Sequence, residues 1–448
     1  MHRKLLSCFQ SIAVPYIALD DTDSVKGMCT TFLLTEVIRS FPELDVIGYP
    51  RLVRLNPNIP WKTRGNAALS VFLGKGMGNR LKIGEIGGRE IYSYEKGRDY
   101  GDVGEIFNTV VSLVEKWAVF DDEKTNPGVV VSRRKPSQSF YWKAVRSPVS
   151  LEDAISELES TGALYKGFKN KRGLIGATAS LSWRPRKRTY ELIAYRYREK
   201  WGKPREIDEK SVVEMDRKFP ETFDNYDYRN RYIAISPHTP CPILYGIRAV
   251  SPYNLENAHR TVKGEKEERW MIFLSNQGTD DNMVRKKIRD IRGYESVIVR
   301  GTVEREPETI EGGHVIFSIS DGTGIVDCAA YEPTKEFRDV VRELIKGDVV
   351  ELYGGVRSEP FTLNIEKMRV LHLENRMVKI HNPRCPKCGK RMKSTGRDGY
   401  YRCRNCGIKV KGGEEMEELK RGIKEGWYEV PVCARRHLAT PLKIMPLL

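Results

Sequence analysis

Three carboxylates fall within four residues in Asp20-Asp21-Thr22-Asp23-Ser24. Charges that close repel one another unless a cation neutralises them, and oxygen ligands completed by water are what Mg2+ prefers. The segment follows the apolar stretch Tyr16-Ile17-Ala18-Leu19 and precedes a helical pattern with Phe32, Leu33, Val37 and Ile38 on one face. A helix starting near Gly27–Thr30 would turn its first N–H groups, with the hydroxyls of Thr30 and Thr31, toward a phosphate. Two other readings stay open on these residues alone. The segment also suits a solvated turn or helix cap. Asp21-Thr-Asp23-Ser-Val25 also fits the pattern of haloacid-dehalogenase-like phosphatases, in which Asp21 would be a covalent nucleophile. No Walker A sequence occurs, which removes an ordinary P-loop.

A second constellation lies near the other end. Cys385-Pro-Lys-Cys388 and Cys403-Arg-Asn-Cys406 are separated by fourteen residues. Two such knuckles offer four thiolates to a tetrahedral Zn2+ at about 2.3 Å each, a structural site with no open position. Gly389 and Gly407 follow the knuckles, where the chain must turn beneath the metal. Arg384, Lys387, Arg391, Arg402 and Arg404 surround the quartet, with Tyr400 and Tyr401 between the knuckles. Basic side chains interleaved with aromatics suit an RNA-tracking surface.

Composition agrees. The 448 residues carry a net charge of +16 and a pI near 9.3. Residues 376–448 alone hold 18 lysines and arginines against 7 acids. Such an excess gains affinity for nucleic acid by releasing counterions from phosphate. Nine cysteines, an odd number without framework spacing, point to a reducing compartment and a cytoplasmic protein. No apolar run of membrane-spanning length occurs, so no membrane association is expected, and no obligate protein partner is called for.

The elements that must position these groups divide the chain into four parts. Residues 12–185 read as a mixed α/β domain, with helices at Val103–Trp117 and Leu151–Leu158. Strands are expected at Val46–Leu55, Ala67–Leu73 and Leu174–Leu181. Gly74-Lys-Gly76-Met-Gly78 reads as a flexible hairpin. Gly173-Leu-Ile-Gly176, preceded by Lys169, Lys171 and Arg172, could touch phosphate or mark close backbone packing. Residues 186–290 have the ferredoxin-like order βαββαβ, with strands at Thr189–Tyr197, Arg231–Ser236, Ile243–Arg248 and Trp270–Ser275. Residues 291–375 show three strands, a helix and two strands, the order of an OB-fold barrel. Residues 376–448 hold the cysteine quartet and a basic tail. The fold class is thus multidomain α+β.

In this order the pieces resemble the archaeal isoleucine-tRNA 2-agmatinylcytidine (agmatidine) synthetase family. The resemblance is carried by Leu19-Asp-Asp-Thr-Asp-Ser24 with Gly27-Met-Cys-Thr-Thr31, and by Leu55-Asn-Pro-Asn-Ile-Pro-Trp-Lys-Thr-Arg-Gly-Asn66. It continues through Arg172-Gly-Leu-Ile-Gly-Ala177, Tyr190-Glu-Leu-Ile-Ala-Tyr-Arg196, Asn276-Gln-Gly-Thr-Asp-Asp281, the quartet, and Tyr428-Glu-Val-Pro-Val-Cys-Ala-Arg-Arg-His437. It implies a kinase-like first domain followed by ferredoxin-like, OB-fold and zinc-ribbon domains. The implied reaction is a ligation: ATP phosphorylates the carbon-2 oxygen of the wobble cytidine of isoleucine tRNA, and the amine of agmatine displaces that phosphate. ATP ends as AMP and phosphates, and the tRNA then reads AUA. By the same resemblance Asp20, Asp21 and Asp23 are Mg2+-binding and catalytic, and Thr30 is catalytic. Thr22, Ser24, Gly27, Thr31, Gly173 and Gly176 border ATP or its phosphates, Lys62 and Arg64 border ATP or the target base, and Arg435 and Arg436, beside His437, contact RNA. Trp61 reads as core or as a stacking platform. The competing functions are a non-catalytic tRNA-binding protein and a Mg2+-dependent phosphohydrolase using Asp21 and Asp23.

Overall fold

Short apolar runs bounded by turn residues become strands buried on both faces. In the computed structural model, which describes residues 14–63, 65–396 and 398–447, Tyr16–Asp20 is one of them. It lies antiparallel to Ala67–Ile86 on one side and to Gly128–Ser132 on the other. Ile17 and Leu19 face one core with Phe32, Leu33 and Val110, contributed by helices Thr30–Ser40 and Val103–Trp117. Ala18 faces the opposite core with Leu174, Ala177 and Leu181. The strand is therefore the middle layer of a sandwich, and its last residue, Asp20, emerges at the edge.

Leu174–Leu181, expected as a strand, is part of helix Gly173–Ser182. Nine of its ten residues are buried, so no polar face marks a helical period. Its small residues let it sit directly on the sheet. The run Gly74–Gly78 is not a loose hairpin either. It belongs to the twenty-residue strand Ala67–Ile86, which pairs with Arg89–Arg98 across a turn at Gly87-Gly88. A Cβ at Gly76 would come within 2.4 Å of the Tyr94 ring, so the glycine makes room for a cross-strand aromatic.

The ferredoxin-like order is present with one strand reassigned. Its four strands are Thr189–Arg196, Thr222–Phe223, Ile243–Ala249 and Glu267–Ser275, with helices Glu209–Lys218 and Leu255–Thr261. Their order across the sheet is fourth, first, third, second. The expected second strand at Arg231–Ser236 supplies only Tyr232–Ile233, in a separate ribbon with Tyr226–Asp227. The fourth strand also joins this unit to the first. Leu274 and Ser275 pair in parallel with Arg51 and Leu52, and Arg269–Met271 pair with Gly84–Ile86. Both units thus share one eleven-stranded sheet.

Strands Ser296–Thr309, Val315–Ser320, Ile325–Ala330, Val349–Arg357 and Thr362–His372 close a five-stranded barrel, with helix Phe337–Arg342 between the third and fourth. Val297, Val299 and Val303 point inward while Arg300, Thr302 and Glu304 stay exposed, the alternation of a one-sided strand. The cysteine knuckles follow, with the small sheet Lys393–Ser394, Tyr400–Arg402 and Lys409–Lys411. The chain then returns. Gly426–Glu429 pairs with the last barrel strand, and the Gly278 and Asp280 N–H groups donate to the carbonyls of His437 (2.8 Å) and Leu438 (2.9 Å). No helix among the described residues is long and apolar enough to cross a membrane.

The shared sheet is locked by a charge pair beneath it. Glu36, 2% exposed on the first helix, pairs with Arg269 of strand Glu267–Ser275, which also donates to Thr35 Oγ1 at 2.9 Å and pairs with Glu268. Removing one partner strands a buried charge. Glu36→Gln should therefore lower stability by about 3 kcal/mol, the low end of the usual cost because Glu268 remains. A urea midpoint equal to the parent's would refute the buried pair.

Candidate active site

The aspartate strand ends at the rim of a cavity of about 500 Å3. Asp20, Asp21 and Asp23 all line it, together with Thr30 and Thr31. Asp21 sits in the left-handed region (φ +56°), which an aspartate tolerates better than most residues. That turn delivers its carboxylate to two donors, Thr63 Oγ1 at 3.2 Å and the Asn126 N–H at 3.1 Å. Asp20 is covered by the glycine helix: a Cβ at Gly176 would stand 1.8 Å from its Oδ2.

Burial raises the Asp20 carboxyl well above the ordinary 3.8, and the charges of Asp21 and Asp23 add to the effect. Burial, then Asp23, lifts Asp21 to about 7. Three acids with two so raised form a set that wants a cation, and their oxygens are the donor type a hard divalent ion takes. No lysine or arginine is hydrogen-bonded to Asp20 or Asp21 to satisfy that demand from within the described residues. The donor set therefore fits Mg2+.

Helix Thr30–Ser40 begins beside this group. Its N-cap, Cys29, makes no side-chain cap, leaving first-turn N–H groups for a ligand, and Thr22 Oγ1 donates to Thr30 Oγ1 at 3.1 Å. Thr22 is fully buried and does not itself line the cavity. Nor does Ser24. Its hydroxyl is spent on Asp122 Oδ2 at 2.6 Å, and Asp122 also takes the Val25 N–H at 3.0 Å. Asp122 is thus the strut of the loop, which sequence reasoning passed over because it stands about a hundred residues away. Gly27 (φ +148°) lies against the Pro240 carbonyl, and Gly173 packs on the backbone of Gly128. Of the two helix glycines only Gly176 reaches the cavity.

The loop after strand Arg51–Arg54 forms one wall. Trp61 is not core: it is 44% exposed, and the Arg172 guanidinium lies 4.1 Å from its ring centre. Lys62 lines the cavity, its ammonium pushed down to about 8 by burial and then by Arg436. Arg64 lies outside the described residues. Glu191 also lines the cavity; it accepts from Gln277 and faces Arg248 at 3.4 Å and Arg54 at 4.0 Å. A glutamate in the otherwise apolar strand Thr189–Arg196 was the signal that could have found it. His437 also faces the cavity, its ring against Gly65; burial, then Arg54, Arg248 and Lys62, hold the imidazole well below the usual histidine range.

Arg435 and Arg436 are engaged within the protein rather than free for RNA. Arg435 is buried against Asp224 and Glu429, while Arg436 reaches Glu366 (3.2 Å) and Asn58 Oδ1 (2.6 Å). Returning next to the second domain, the tail finds its counterions there and on the barrel. In the ribbon Arg391 pairs with Glu415 at 2.6 Å, and Arg384 stands 3.8 Å from the same acid. Lys387, Arg402 and Arg404 are exposed. Tyr401 is buried, with Lys379 and Glu414 on its hydroxyl, leaving Tyr400 as the exposed ring. The sulfurs of Cys385, Cys388, Cys403 and Cys406 lie within 4.8 Å of one another, Cys388 and Cys403 at 3.6 Å. Tetrahedral Zn–S bonds of about 2.3 Å require edges near 3.8 Å, so the quartet fits Zn2+.

Four family models match in sequence order: TiaS TCKD domain over residues 16–170, TiaS FLD domain over 171–282, OB-fold nucleic acid binding domain over 297–371, and TiaS C-terminal zinc ribbon domain over 382–423. An isoleucine-tRNA 2-agmatinylcytidine synthetase, TiaS, from Methanocaldococcus jannaschii is 44% identical, the alignment covering 97% of this chain and 99% of that one. The chain belongs to this synthetase family. A member from Pyrococcus horikoshii is 40% identical over 95% of this chain and 96% of its own. Two solved structures of the family align over 96% of this chain and 97% of theirs. One is TiaS in complex with its isoleucine tRNA and ATP, with TM-score 0.83 and 40% identity. The other is TiaS with the same tRNA, AMPCPP and agmatine, with TM-score 0.79 and 38% identity.

The raised acids make the cation-free site pH-sensitive. An Asp21 that titrates near 7 when folded and near 3.8 when unfolded costs stability as pH rises between those values, with no further loss above. A bound divalent cation holds the ionised form. The rise in melting temperature on adding Mg2+ should therefore be larger at about pH 7.5 than at about pH 5.5; an equal rise would contradict cation binding at these aspartates.

Proposed function

We propose that this chain joins agmatine to carbon 2 of the wobble cytidine of isoleucine tRNA, consuming ATP to AMP and phosphate. The carrying observation is the near full-length relation to the synthetase family combined with the carboxylate cavity where its first two domains meet. In the chemistry, the cytidine carbon-2 oxygen attacks the terminal phosphoryl group of ATP, the nucleoside diphosphate leaves, and water splits its remaining anhydride to give AMP and a second phosphate. The agmatine amine then forms the C–N bond while the phosphorylated oxygen leaves as phosphate. A pyrimidine carbonyl oxygen departs only once activated, and phosphoryl transfer is mainly positioning and charge neutralisation.

This chain's residues divide that work. Asp20, Asp21 and Asp23 would hold Mg2+, which offsets phosphate charge when bound. Thr30 and Thr31, with the first-turn N–H groups of their helix, would receive phosphate oxygens, and Lys62 would lie at the same anionic group. Trp61, stiffened by Arg172, offers a face on which a base taken out of the anticodon stack can rest. Glu191 is a buried carboxylate on the same cavity, already faced by Arg54 and Arg248, and would take a guanidinium or amine in exchange for one of them. OB-fold and ribbon supply the remaining RNA contacts, through Lys387, Arg402 and Arg404 in the ribbon.

Two outcomes test this. Labelled agmatine should enter a cytidine-bearing isoleucine tRNA only with ATP present, releasing AMP; phosphate release from simple esters without tRNA would instead establish the phosphohydrolase. Gly176→Ala suits its helix but drives a methyl into Asp20, so turnover should fall about 100-fold with tRNA affinity kept. Unchanged turnover would remove Asp20 from the chemistry.

A further inference from the structure

Three cations meet at the other end of the aspartate strand, and no acid among the described residues is paired with them. Tyr16 and Asp20 stand four positions apart along the strand, about 13 Å, so this cluster is distinct from the cavity. Arg51 opens its strand, Lys135 follows strand Gly128–Ser132, and Arg184 follows the glycine helix. The Arg51 guanidinium and the Lys135 amine stand 4.4 and 4.7 Å from the centre of one ring, Phe72, and Lys135 is 5.0 Å from Tyr16.

Part of this is structural. Arg51 Nη1 donates to the Trp183 carbonyl at 2.7 Å, and Arg184 Nη1 donates to Ser182 (2.7 Å) and Pro136 (3.1 Å), so both arginines cap the end of the helix. Capping does not account for Lys135. Its amine has no hydrogen bond or ion pair among the described residues, only the two rings. The charges felt by Lys135 come from Arg51 and Arg184, and those felt by Arg51 from Arg184 and the Tyr16 hydroxyl. Burial, then those two arginines, press Lys135 down to about 7. Residues 1–13 contain no Asp or Glu that could serve as a counterion.

Half-buried cations without an anion are unfavourable unless a ligand brings the charge. The setting favours a polyanion. Arg133-Arg134-Lys135 and Arg184-Pro-Arg186-Lys187-Arg188 form two basic segments beside each other; among the described residues Asp99 pairs with Arg133 at 3.1 Å, and Asp281 feels the charge of Lys187. Arg133, Arg134, Arg186 and Lys187 are exposed.

We propose that Arg51, Lys135 and Arg184 form a phosphate subsite, filled by a backbone phosphate of the RNA substrate. The assignment to RNA rests on the function proposed above; the oxyanion chemistry does not. Lys135→Gln is the informative variant because it leaves both arginine caps in place, with Lys135→Arg as the rescue. Binding of isoleucine tRNA is measured across a KCl series, and melting is compared in inorganic phosphate and chloride at matched ionic strength. Lys135→Gln should weaken tRNA binding about threefold to tenfold and flatten the logarithmic salt slope by about 0.9. Lys135→Arg should restore both, and agmatine attachment at saturating tRNA should match the parent's. Unchanged tRNA binding, with phosphate stabilising the parent but not Lys135→Gln, would assign the subsite to free phosphate and overturn the RNA assignment. Equal responses of parent and variant in both experiments overturn the subsite itself. Absence of agmatine attachment in both proteins would refute the proposed function, while the melting comparison would still report on the subsite.

Discussion

How closely the glycine helix lies on the aspartate strand decides most of what the site can do. At Gly173 a Cβ would come 2.2 Å from the backbone of Gly128, and at Gly176 it would collide with Asp20. Glycine inside a helix costs about 1 kcal/mol relative to alanine, so two of them in the first turn are a local penalty. The return is contact: backbone rests on backbone, and the Asp20 carboxylate is pressed against the helix at the cavity wall and partly shielded from water. Desolvation then raises its proton affinity, and Asp21 and Asp23 add repulsion. A carboxylate cluster held this way is a poor surface turn and a good cation site.

The cavity is assembled from distant parts of the chain, and its walls tie the first two units to the returning tail. The loop bearing Trp61 and Lys62 is pinned to the barrel by Asn58, whose amide donates to the Glu295 carbonyl and to Ser296 Oγ, both at 2.9 Å. Arg436 from the tail binds the other end of the same amide, and Gly355 leaves room for it. The barrel and the tail are thus connected to the cavity wall through one packed side chain. Since the first two units share a sheet, Glu191 and the strands of the first unit are fixed relative to the aspartates.

Much of this is legible in the residues alone. The aspartate loop, the helix at Val103–Trp117, the barrel order and the cysteine knuckles all depend on neighbours in sequence: alternation, a helical stripe, a Cys-x-x-Cys turn. Sequence reading fails where burial is uniform or partners are remote. Leu174–Leu181 has no polar face to show its period, because both it and the sheet beneath are covered. Ser24 has the chemistry of a phosphate ligand, but Asp122 claims its hydroxyl. Arg435 has the chemistry of an RNA contact, but Asp224 and Glu429 bury it.

By itself, then, the sequence determined the composition of the chemistry: three acids after a strand, hydroxyls at a helix start, four thiols, a basic surplus and the order of domains. Only the tertiary structure decided which of those groups face a ligand. A side chain's partner is set by proximity in space, and here the deciding partners, Gly176 over Asp20, Asp122 on Ser24, and His437 behind Gly65, come from about a hundred to several hundred residues away.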